Sequence, residues 1–519
     1  MKTIIRNIAA TFTAAFALTG CFDLSEEVYS EIPMDDFLKN EQEVVATAGR
    51  AYRHLQAFGK EQGLYTLMLL SADECCAPKR DDGHWDDGGR YLRLHRHQWD
   101  PSDKLLREGW NACFNTIATC NDILYEMSLS DMVFDAKTHL EAEVKILRAF
   151  MYFLAIDCWD QIPFSIDYTD TSYPEPKSRE FVFKFIEQEI LDNIDLMEEI
   201  PTTGSYGRMT KGGAYALLAK LYLNAEVLIG KPMWNEAETA CKKVIDAGHY
   251  IIEPKFEANF VPNNEASREN IFVIPYDTAN TSGSSDYTFM IHILTLPDSQ
   301  WTKDTFNIPY ANWDGFVCQP DFFQRYSADD RRRDLTFIHS ESALFPGAPF
   351  NAVFDEKLFD GNGRAKGDDE AGINADGARL YKYQFQNDGR LMSSSITMDN
   401  DFVLIRYADV VMMWAEALMR QGRVAEAIVH PDFQAIRTRA GLEPYTEAEL
   451  TLDELLDERG REFAWELWRR NDLIRFGKFC DPWWAKPERS APRSTIYPIP
   501  TEILNANPKL SQLDAYLEN

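Results

Sequence analysis

Cysteine is scarce in this chain, with nine residues among 519. That density is far too low for a scaffold held together by disulfides. Cys113 and Cys120 are seven residues apart in a helical pattern, about 10 Å along the axis, which is too far for a disulfide in an intact helix. Cys158 and Cys241 fall on apolar faces. The sequence therefore predicts that these thiols are small core residues.

Positive charge is also in deficit, because 53 Lys and Arg face 83 Asp and Glu, which leaves a formal net charge of −30. A surface of that sign repels phosphate backbones, so nucleic acid is not an expected partner. The composition is otherwise that of a globular protein, 45% hydrophobic and 26% charged. A length of 519 residues corresponds to roughly three average domains or to one large domain.

Long apolar runs are missing as well. No run reaches the ~18 residues expected of a membrane-spanning helix. The apolar run at residues 8–18 follows Lys2 and Arg6, and its length is that of the core of a signal peptide. The sequence thus predicts an exported protein without a membrane-spanning anchor.

The same run ends in Leu18-Thr19-Gly20-Cys21, small residues placed directly before a cysteine. This pattern resembles a bacterial lipobox, in which the cysteine thiol is acylated and becomes the new N-terminus. Acyl chains then hold the mature protein to a membrane. We predict a lipoprotein signal peptide over 1–20, lipidation of Cys21 and a lipidated tether over 21–40. The alternative is a plain secretory signal whose cleavage site lies near a cysteine.

Apolar residues recur with the 3.6-residue period of a helix over most of the chain. One stripe comprises Val144, Leu147, Met151, Leu154 and Cys158. Strand-like runs are few and short, and the best covers 271–276. The sequence predicts a mainly α fold with helices over 41–58, 102–127, 140–159, 179–199, 210–229, 234–247, 402–421, 424–440 and 452–476.

Two helix pairs resemble each other. The first combines 217–226 with a helix from Trp234, and the second combines 410–417 with a helix from Val424. In each pair an Ala-rich helix is followed by a short turn and then by a helix that begins with an Ala-Glu pattern. Small residues let two helices approach closely, as in tetratricopeptide repeats. We expect a tetratricopeptide-repeat-like helical scaffold, with two unrelated helical hairpins as the alternative.

Motifs of established catalytic chemistry are missing from the sequence. It contains no Gly-x-Ser-x-Gly elbow, no Walker loop and no His-Glu-x-x-His helix. His95 and His97 lack a third nearby metal ligand, and the acidic loop 81–88 lacks the register of an EF-hand. We predict no catalytic residue, no metal site and no cofactor. A glycoside hydrolase or peptidase with two facing carboxylates, or a structural adaptor of helical repeats, remains the alternative.

The charged residues of 458–466 form a dense group. Arg459, Arg461, Glu462 and Glu466 are spaced so that they can pair along one helix. Exposed pairs of that kind contribute only tenths of a kcal/mol. We therefore interpret them as scaffold residues rather than catalytic acids, and expect Arg406, Arg437 and Arg439 to tie helix ends or loops together in the same way.

Several segments carry motifs that occur together in one known family. Ile436-Arg437-Thr438-Arg439-Ala440-Gly441-Leu442 is similar to an Arg-x-Arg-Ala-Gly-Leu turn. The turn at 161–164 has Gln-Ile where a Gly-x-Val-Pro type is usual. In order along the chain, the segments are 41–52, 141–153, 161–164, 208–222, 404–417, 436–442, 458–478, 497–500 and 505–508. The ordered set resembles the SusD/RagB family of outer-membrane nutrient-binding lipoproteins.

This resemblance implies a non-catalytic glycan-binding lipoprotein on the cell surface, anchored in the outer membrane. It also implies a partner, a SusC-like TonB-dependent transporter that receives the bound oligosaccharide. Peptide is the alternative ligand. The expected organisation is one integrated fold with an N-terminal helical region over 41–250, a loop-rich ligand-side region over 251–400 and a C-terminal helical region over 401–519.

In the family the ligand site is formed by two loop regions, which correspond here to 77–100 and to the loop-rich middle. Aromatic rings on loops can stack on the C–H faces of sugars, while polar side chains bond the hydroxyls. We expect Trp85 to be exposed between its Gly and Asp neighbours. The predicted ligand-binding residues are Trp85, Arg90, Asp81, Tyr287, Trp301 and Trp313. The basic residues of the first loop region, which would suit an acidic ligand, are Lys79, Arg80, Arg90, Arg93 and Arg96.

Overall fold

The computed structural model describes residues 38, 40–80, 83–130, 135–202, 204–277, 290–308, 312–359, 375–385 and 398–517. These residues are mainly helical. The helices are α1 (Glu41–Leu55), α2 (Leu64–Leu70), α3 (Arg90–His95), α4 (Lys104–Leu129), α5 (Asp135–Cys158), α6 (Arg179–Asn193), α7 (Lys211–Leu223), α8 (Ala225–Ile229), α9 (Trp234–Ala247), α10 (Ile291–Thr295), α11 (Gln300–Phe306), α12 (Pro320–Phe323), α13 (Arg331–Thr336), α14 (Tyr407–Arg420), α15 (Val424–Ile428), α16 (Pro431–Arg439), α17 (Leu452–Phe463), α18 (Arg469–Arg475) and α19 (Thr501–Ala506).

Several helices begin at a polar residue whose side chain accepts a backbone hydrogen bond. Ser178 accepts from the N–H of Phe181 at the start of α6. Thr210 starts α7 in the same way, and Thr451 starts α17. Such caps satisfy N–H groups that have no partner within the helix, and each is worth about 1 kcal/mol. These helix starts are therefore encoded locally in the sequence.

The two repeat-like helix pairs lie side by side. Helix α7 packs on α9, α9 packs on α14, and α14 packs on α15 and α16. Ala216 and Ala219 are buried on α7, and Ala240 is buried on α9. Their small side chains allow the helix axes to approach closely. The prediction of a mainly α, tetratricopeptide-repeat-like scaffold is confirmed.

Short antiparallel strand pairs connect separate segments, most of which are distant in sequence. In the described residues they are β1 (Cys75–Cys76) with β5 (Val317–Cys318), β2 (Ile162–Pro163) with β3 (Pro176–Lys177), β4 (Asn270–Ile274) with β8 (Phe402–Arg406), and β6 (Phe337–Ile338) with β7 (Arg379–Leu380). Phe272 pairs with Ile405, and Val273 pairs with Val403, with a register shift between them. Strand β8 leads directly into α14, so the C-terminal helical layer is joined to the middle of the chain.

The three helices predicted in the C-terminal half differ from those that the structure shows. The prediction of a helix over 402–421 was wrong in its first five residues, because 402–406 pair with β4. The helix expected over 424–440 is divided before Pro431, which lacks an N–H and starts α16. The helix expected over 452–476 is interrupted at 464–468, where Trp465 and Leu467 have positive φ angles of 59° and 82°.

One hydrophobic cluster contains residues from the N-terminal, middle and C-terminal segments that the structure describes. Leu147 on α5, Phe316 in the middle and Val411 on α14 all belong to it. Eight cysteines lie in the described residues, and all are buried with free thiols. Cys158 and Cys241 are fully buried, as the sequence predicted.

The charged residues around 458–466 form a buried network rather than exposed local pairs. Arg406 bonds Glu466 at 2.8 Å and Glu269 at 2.6 Å. Arg332 bonds Glu458 and Glu462 at 2.9 Å, and none of these three side chains is more than 1% exposed. The expectation of weak surface pairing was wrong, because most partners come from other elements. The interpretation as scaffold residues remains, since each charge has an opposite charge at hydrogen-bond distance.

Candidate functional site

The loop that carries Trp85 is held in a tight left-handed turn. Trp85 has a φ of +63° and Asp87 a φ of +41°. The Trp85 ring packs against Tyr91 at 5.2 Å and against Phe316 at 5.4 Å between ring centroids. It is half-buried, which differs from the exposed position that we predicted. The turn folds the ring back onto the protein, and the Gly and Asp neighbours serve the turn itself.

Trp85 also joins the two predicted loop regions. Its indole Nε1 donates a hydrogen bond to the carbonyl oxygen of Trp313 at 2.6 Å. The ring lies directly over Gly315, where an added Cβ would come within 2.2 Å of the indole. Only a residue without a side chain allows this approach. The two loop regions that the sequence predicted are therefore in contact, and the contact depends on a glycine that the sequence did not single out.

Trp313 is the exposed ring of the pair. Its side chain lies in a segment whose backbone bonds α10 and the residue after it, since Trp313 N–H donates to Ile293 O at 2.8 Å and Asp314 N–H donates to Leu296 O at 2.9 Å. Trp313 is 41% exposed. A large aromatic ring held open to solvent by a fixed backbone is suited to stacking on a ligand.

Asp314 holds the same segment through contacts with two arginines. Its carboxylate lies 2.7 Å from Arg379 and 3.3 Å from Arg80, and Arg80 Nε also donates to the Asp314 carbonyl at 2.7 Å. Both guanidinium groups are buried. Burial lowers the pKa of Arg379 to about 10, which still leaves the group charged at neutral pH. The base of the loop is therefore tied to two buried cations.

A polar cavity of about 410 Å³ lies next to the Trp313 ring. Tyr91, which contacts Trp85, donates its hydroxyl to Glu61 at 3.0 Å, and Gln62 donates to the same carboxylate at 3.2 Å. The volume falls in the range of small-ligand sites. Its lining residues are Lys60, Glu61, Gln62, Lys104, Glu108, Met290 and Trp313.

Sequence reasoning missed most of this cavity. Lys60, Glu61 and Gln62 follow the first helix, whereas Lys104 and Glu108 begin α4, outside both predicted loop regions. Nothing in their local sequence distinguishes them from other surface charges. The proximity of Lys60 Nζ to Glu108 at 3.6 Å arises from tertiary packing alone.

The basic residues of the first loop region mostly face carboxylates of the protein. Arg90 lies 3.0 Å and Arg93 3.2 Å from Asp103, the residue that caps α4. Lys79 lies 3.1 Å from Asp86. An anionic ligand at Arg90 would have to compete with Asp103. The roles of Arg90 and its neighbours in ligand binding stay predictions.

The remaining predicted site residues are placed differently. Trp301 is half-buried, edge-on to Phe350 at 5.2 Å, and Phe350 in turn lies beneath the Arg379 guanidinium. Trp301 therefore packs among other aromatic rings of the fold, and its contact with a ligand stays a prediction. Asp81, Tyr287 and Cys21 lie outside the described residues.

The two histidines of 95–97 are engaged within the fold. The Nε2 of His95 lies 2.6 Å from the Trp484 carbonyl, and that of His97 lies 3.0 Å from the Ser71 carbonyl. Burial lowers the pKa of His95 to about 3 and that of His97 well below its usual range. Among the described residues no group of three or more His, Cys, Asp or Glu side chains is placed to hold a metal ion.

None of the helices that the structure describes is both long and apolar enough to cross a bilayer.

The architecture defines a helical-repeat scaffold that carries an aromatic ring and a polar cavity at its loops. The SusD family model matches residues 268–490, and a model described as starch-binding associating with outer membrane matches residues 62–223. The chain belongs to the SusD/RagB family.

Curated relatives and solved structures agree with this assignment. The chain is 25% identical to the starch-binding protein SusD of Bacteroides thetaiotaomicron, with 88% of this chain and 86% of SusD covered. It is 24% identical to SusD-like protein P25 of Formosa agariphila, with 98% of each covered. A structure of surface glycan-binding protein A from Bacteroides thetaiotaomicron in complex with laminarihexaose has a TM-score of 0.73 at 20% identity, covering 92% of this chain and 99% of that one. This likeness shows a shared fold.

Proposed function

We propose that this protein is a non-catalytic glycan-binding lipoprotein of the outer membrane that delivers oligosaccharide to a SusC-like TonB-dependent transporter. The observation that carries the proposal is the exposed Trp313 ring beside a polar cavity of sugar size. The ring can stack on a pyranose face, while the carboxylate, amide and ammonium groups of the cavity can bond its hydroxyls. The names of the relatives, starch-binding and glycan-binding, support the same class of ligand.

Replacement of Trp313 tests the site. We expect Trp313→Ala to weaken glycan binding at least tenfold, equivalent to about 1.4 kcal/mol, because the stacking surface is lost. Calorimetric titration with laminarihexaose and with a maltooligosaccharide measures this, after a glycan array and a peptide library have identified which probes bind. Tyr173→Ala is the matched control, because Tyr173 is exposed to 53% and lies outside the cavity.

The outcomes separate the proposed class from its alternatives. Binding of peptides but not glycans would make the protein a peptide-binding member of the family. A hydrolase is the second candidate, because the acids Glu61 and Glu108 both line the cavity. Release of new reducing ends that Glu61→Gln abolishes would establish it and overturn the non-catalytic proposal.

The anchor and the partner require a cellular test. We expect Cys21→Ser to release the protein from the outer-membrane fraction, because the thiol that would carry the acyl chain is absent. Metabolic labelling with a fatty acid should mark only the unchanged protein. Affinity purification of the anchored protein should recover a TonB-dependent transporter, and its absence under mild detergent would contradict the proposed partnership.

A further inference from the structure

A second cavity, separate from the Trp313 site, lies between the end of α3 and the loop 486–494. Its volume is about 490 Å³. The cavity is lined by four cationic side chains and a single carboxylate, Glu488. The cations are Arg96, Lys486, Arg489 and Arg493, and the other lining residues are His97, Gln98, Pro487, Ser490, Ala491 and Ser494. The lining of the cavity is therefore net positive, although the protein as a whole has a net charge of −30.

Two of these cations are held by neutral oxygen atoms. The Lys486 ammonium donates to the Asp481 carbonyl at 2.6 Å and lies 3.2 Å from the Ser490 hydroxyl, and its residue is only 3% exposed. Arg493 donates to the Ala515 carbonyl at 3.1 Å. Within the part of the chain that the structure describes, neither cation has a carboxylate at ion-pair distance. By contrast, Arg489 pairs with Asp481.

His97, one of the residues that line the cavity, holds a buried hydrogen-bond acceptor. His97 is 7% exposed, and its Nδ1 has no hydrogen-bond partner among the described residues. Because Nε2 faces a carbonyl oxygen, it carries the ring proton, and a neutral imidazole then has its lone pair on Nδ1. The lowered pKa of His97 keeps the ring neutral. A lone pair of this kind accepts a hydrogen bond from a hydroxyl group.

We infer that this cavity binds a sugar carrying an oxyanion, namely a phosphate, sulfate or carboxylate group. Arg493 would bond the oxyanion, and the buried Lys486 ammonium, whose donors are taken by Cys480, Asp481 and Ser490, would attract it electrostatically. His97 Nδ1 would accept from a ring hydroxyl once the side chains that cover it move aside. A bare anion would leave most of the volume empty and the His97 acceptor unsatisfied. The assignment of a sugar rests on the proposed function, whereas the oxyanion site stands on the charges of the cavity alone.

Calorimetric titration of the purified protein with glucose 6-phosphate, glucuronate, glucose and inorganic phosphate tests this. We expect binding of at least one charged sugar, tighter than glucose or inorganic phosphate by roughly tenfold or more. Arg493→Gln should weaken that binding about tenfold, equivalent to about 1.4 kcal/mol, because a charge-assisted hydrogen bond is lost. Binding should also weaken as salt is added. Arg268→Gln, an exposed cation elsewhere, should change affinity less than twofold.

Other results would overturn the inference. One is the absence of binding to either charged sugar, and another is binding of inorganic phosphate as tight as that of the charged sugars. The others are an equal loss of affinity in Arg268→Gln and Arg493-dependent binding to phosphatidylglycerol vesicles that is stronger than binding to the sugars. Melting temperatures confirm that each variant is folded, and Lys486→Gln supplies a second test. Trp313→Ala should leave this binding unchanged, so that failure here and failure of the proposed glycan site are distinguished.

Discussion

Asp401 is a buried acid in the turn before β8. Its carboxylate accepts hydrogen bonds from the Tyr206 hydroxyl and from the Tyr276 N–H, the latter at 3.1 Å. Burial is the main cause that raises its pKa to about 7, and the carboxylates of Glu265 and Asp399 add to the effect. The folded protein therefore holds a proton on this group at pH values where the unfolded chain has lost it.

The sign of the pH effect follows from that difference. Stability contributed by the protonated acid is complete below a pH of about 4 and is lost as the pH rises through about 7. We expect Asp401→Asn to be more stable than the unchanged protein at pH 8 by about 1 kcal/mol or more, with a smaller difference at pH 5. Urea denaturation at both pH values measures this. Asp246→Asn, a substitution on the surface, is the control. If the stability of Asp401→Asn depended on pH in the same way as that of the unchanged protein, Asp401 would not be the source of the pH effect.

At the scale of elements, the candidate site depends on how the Trp85 turn meets the 312–316 segment. An alanine at 315 would place its Cβ within 2.2 Å of the Trp85 ring. We expect Gly315→Ala to displace that ring and to cost about 1–3 kcal/mol, the range for overpacking. Thermal unfolding measures the stability, and glycan titration should show a parallel loss of affinity.

A matched glycine lies in α1. An added Cβ at Gly49 would meet nothing within 4 Å. Gly49→Ala should therefore stabilise the protein slightly, since alanine is the better helix former. If Gly315→Ala were as stable as Gly49→Ala and bound glycan normally, the close contact between the two loops would not be required.

At the scale of the whole molecule, Arg406 links the middle of the chain to the C-terminal helices. It bonds Glu269, which precedes β4, and Glu462 and Glu466, which lie on or just after α17. These carboxylates are buried. Glu269 and Glu462 also pair with Arg439, and Glu466 pairs with Lys382, so removing Arg406 would leave three buried carboxylates with fewer cations than the fold provides for them.

We therefore expect Arg406→Met to lower the free energy of unfolding by about 3–5 kcal/mol, the range for breaking a buried ion pair. Urea denaturation at pH 7 provides the measurement. Arg423→Met removes a partly exposed cation that pairs with Glu238 and Glu426, so its cost should be much smaller. Equal costs for the two variants would show that the network contributes no more than surface pairs.

Much of the architecture could be predicted from the sequence because it depends on neighbouring residues. Helical periodicity gave the positions of α4, α5 and α9 to within about five residues, and capping side chains such as Thr210 mark where helices start. The ordered motifs were sufficient to identify the family. The signal peptide, the lipidation of Cys21 and the ligand-binding roles of Asp81 and Tyr287 stay predictions.

Tertiary structure decided what depends on contacts between distant residues. Strand β8 was predicted as helix because its partner β4 lies more than a hundred residues earlier, and its burial on both faces hides the strand pattern. The cavities beside Trp313 and beside Lys486 gather surface charges from separate elements. The sequence alone determined local conformation and the family, because these depend on short-range pattern. The fold alone determined which charges are buried, paired or left facing a cavity, because that depends on which distant segments come to lie within hydrogen-bond distance.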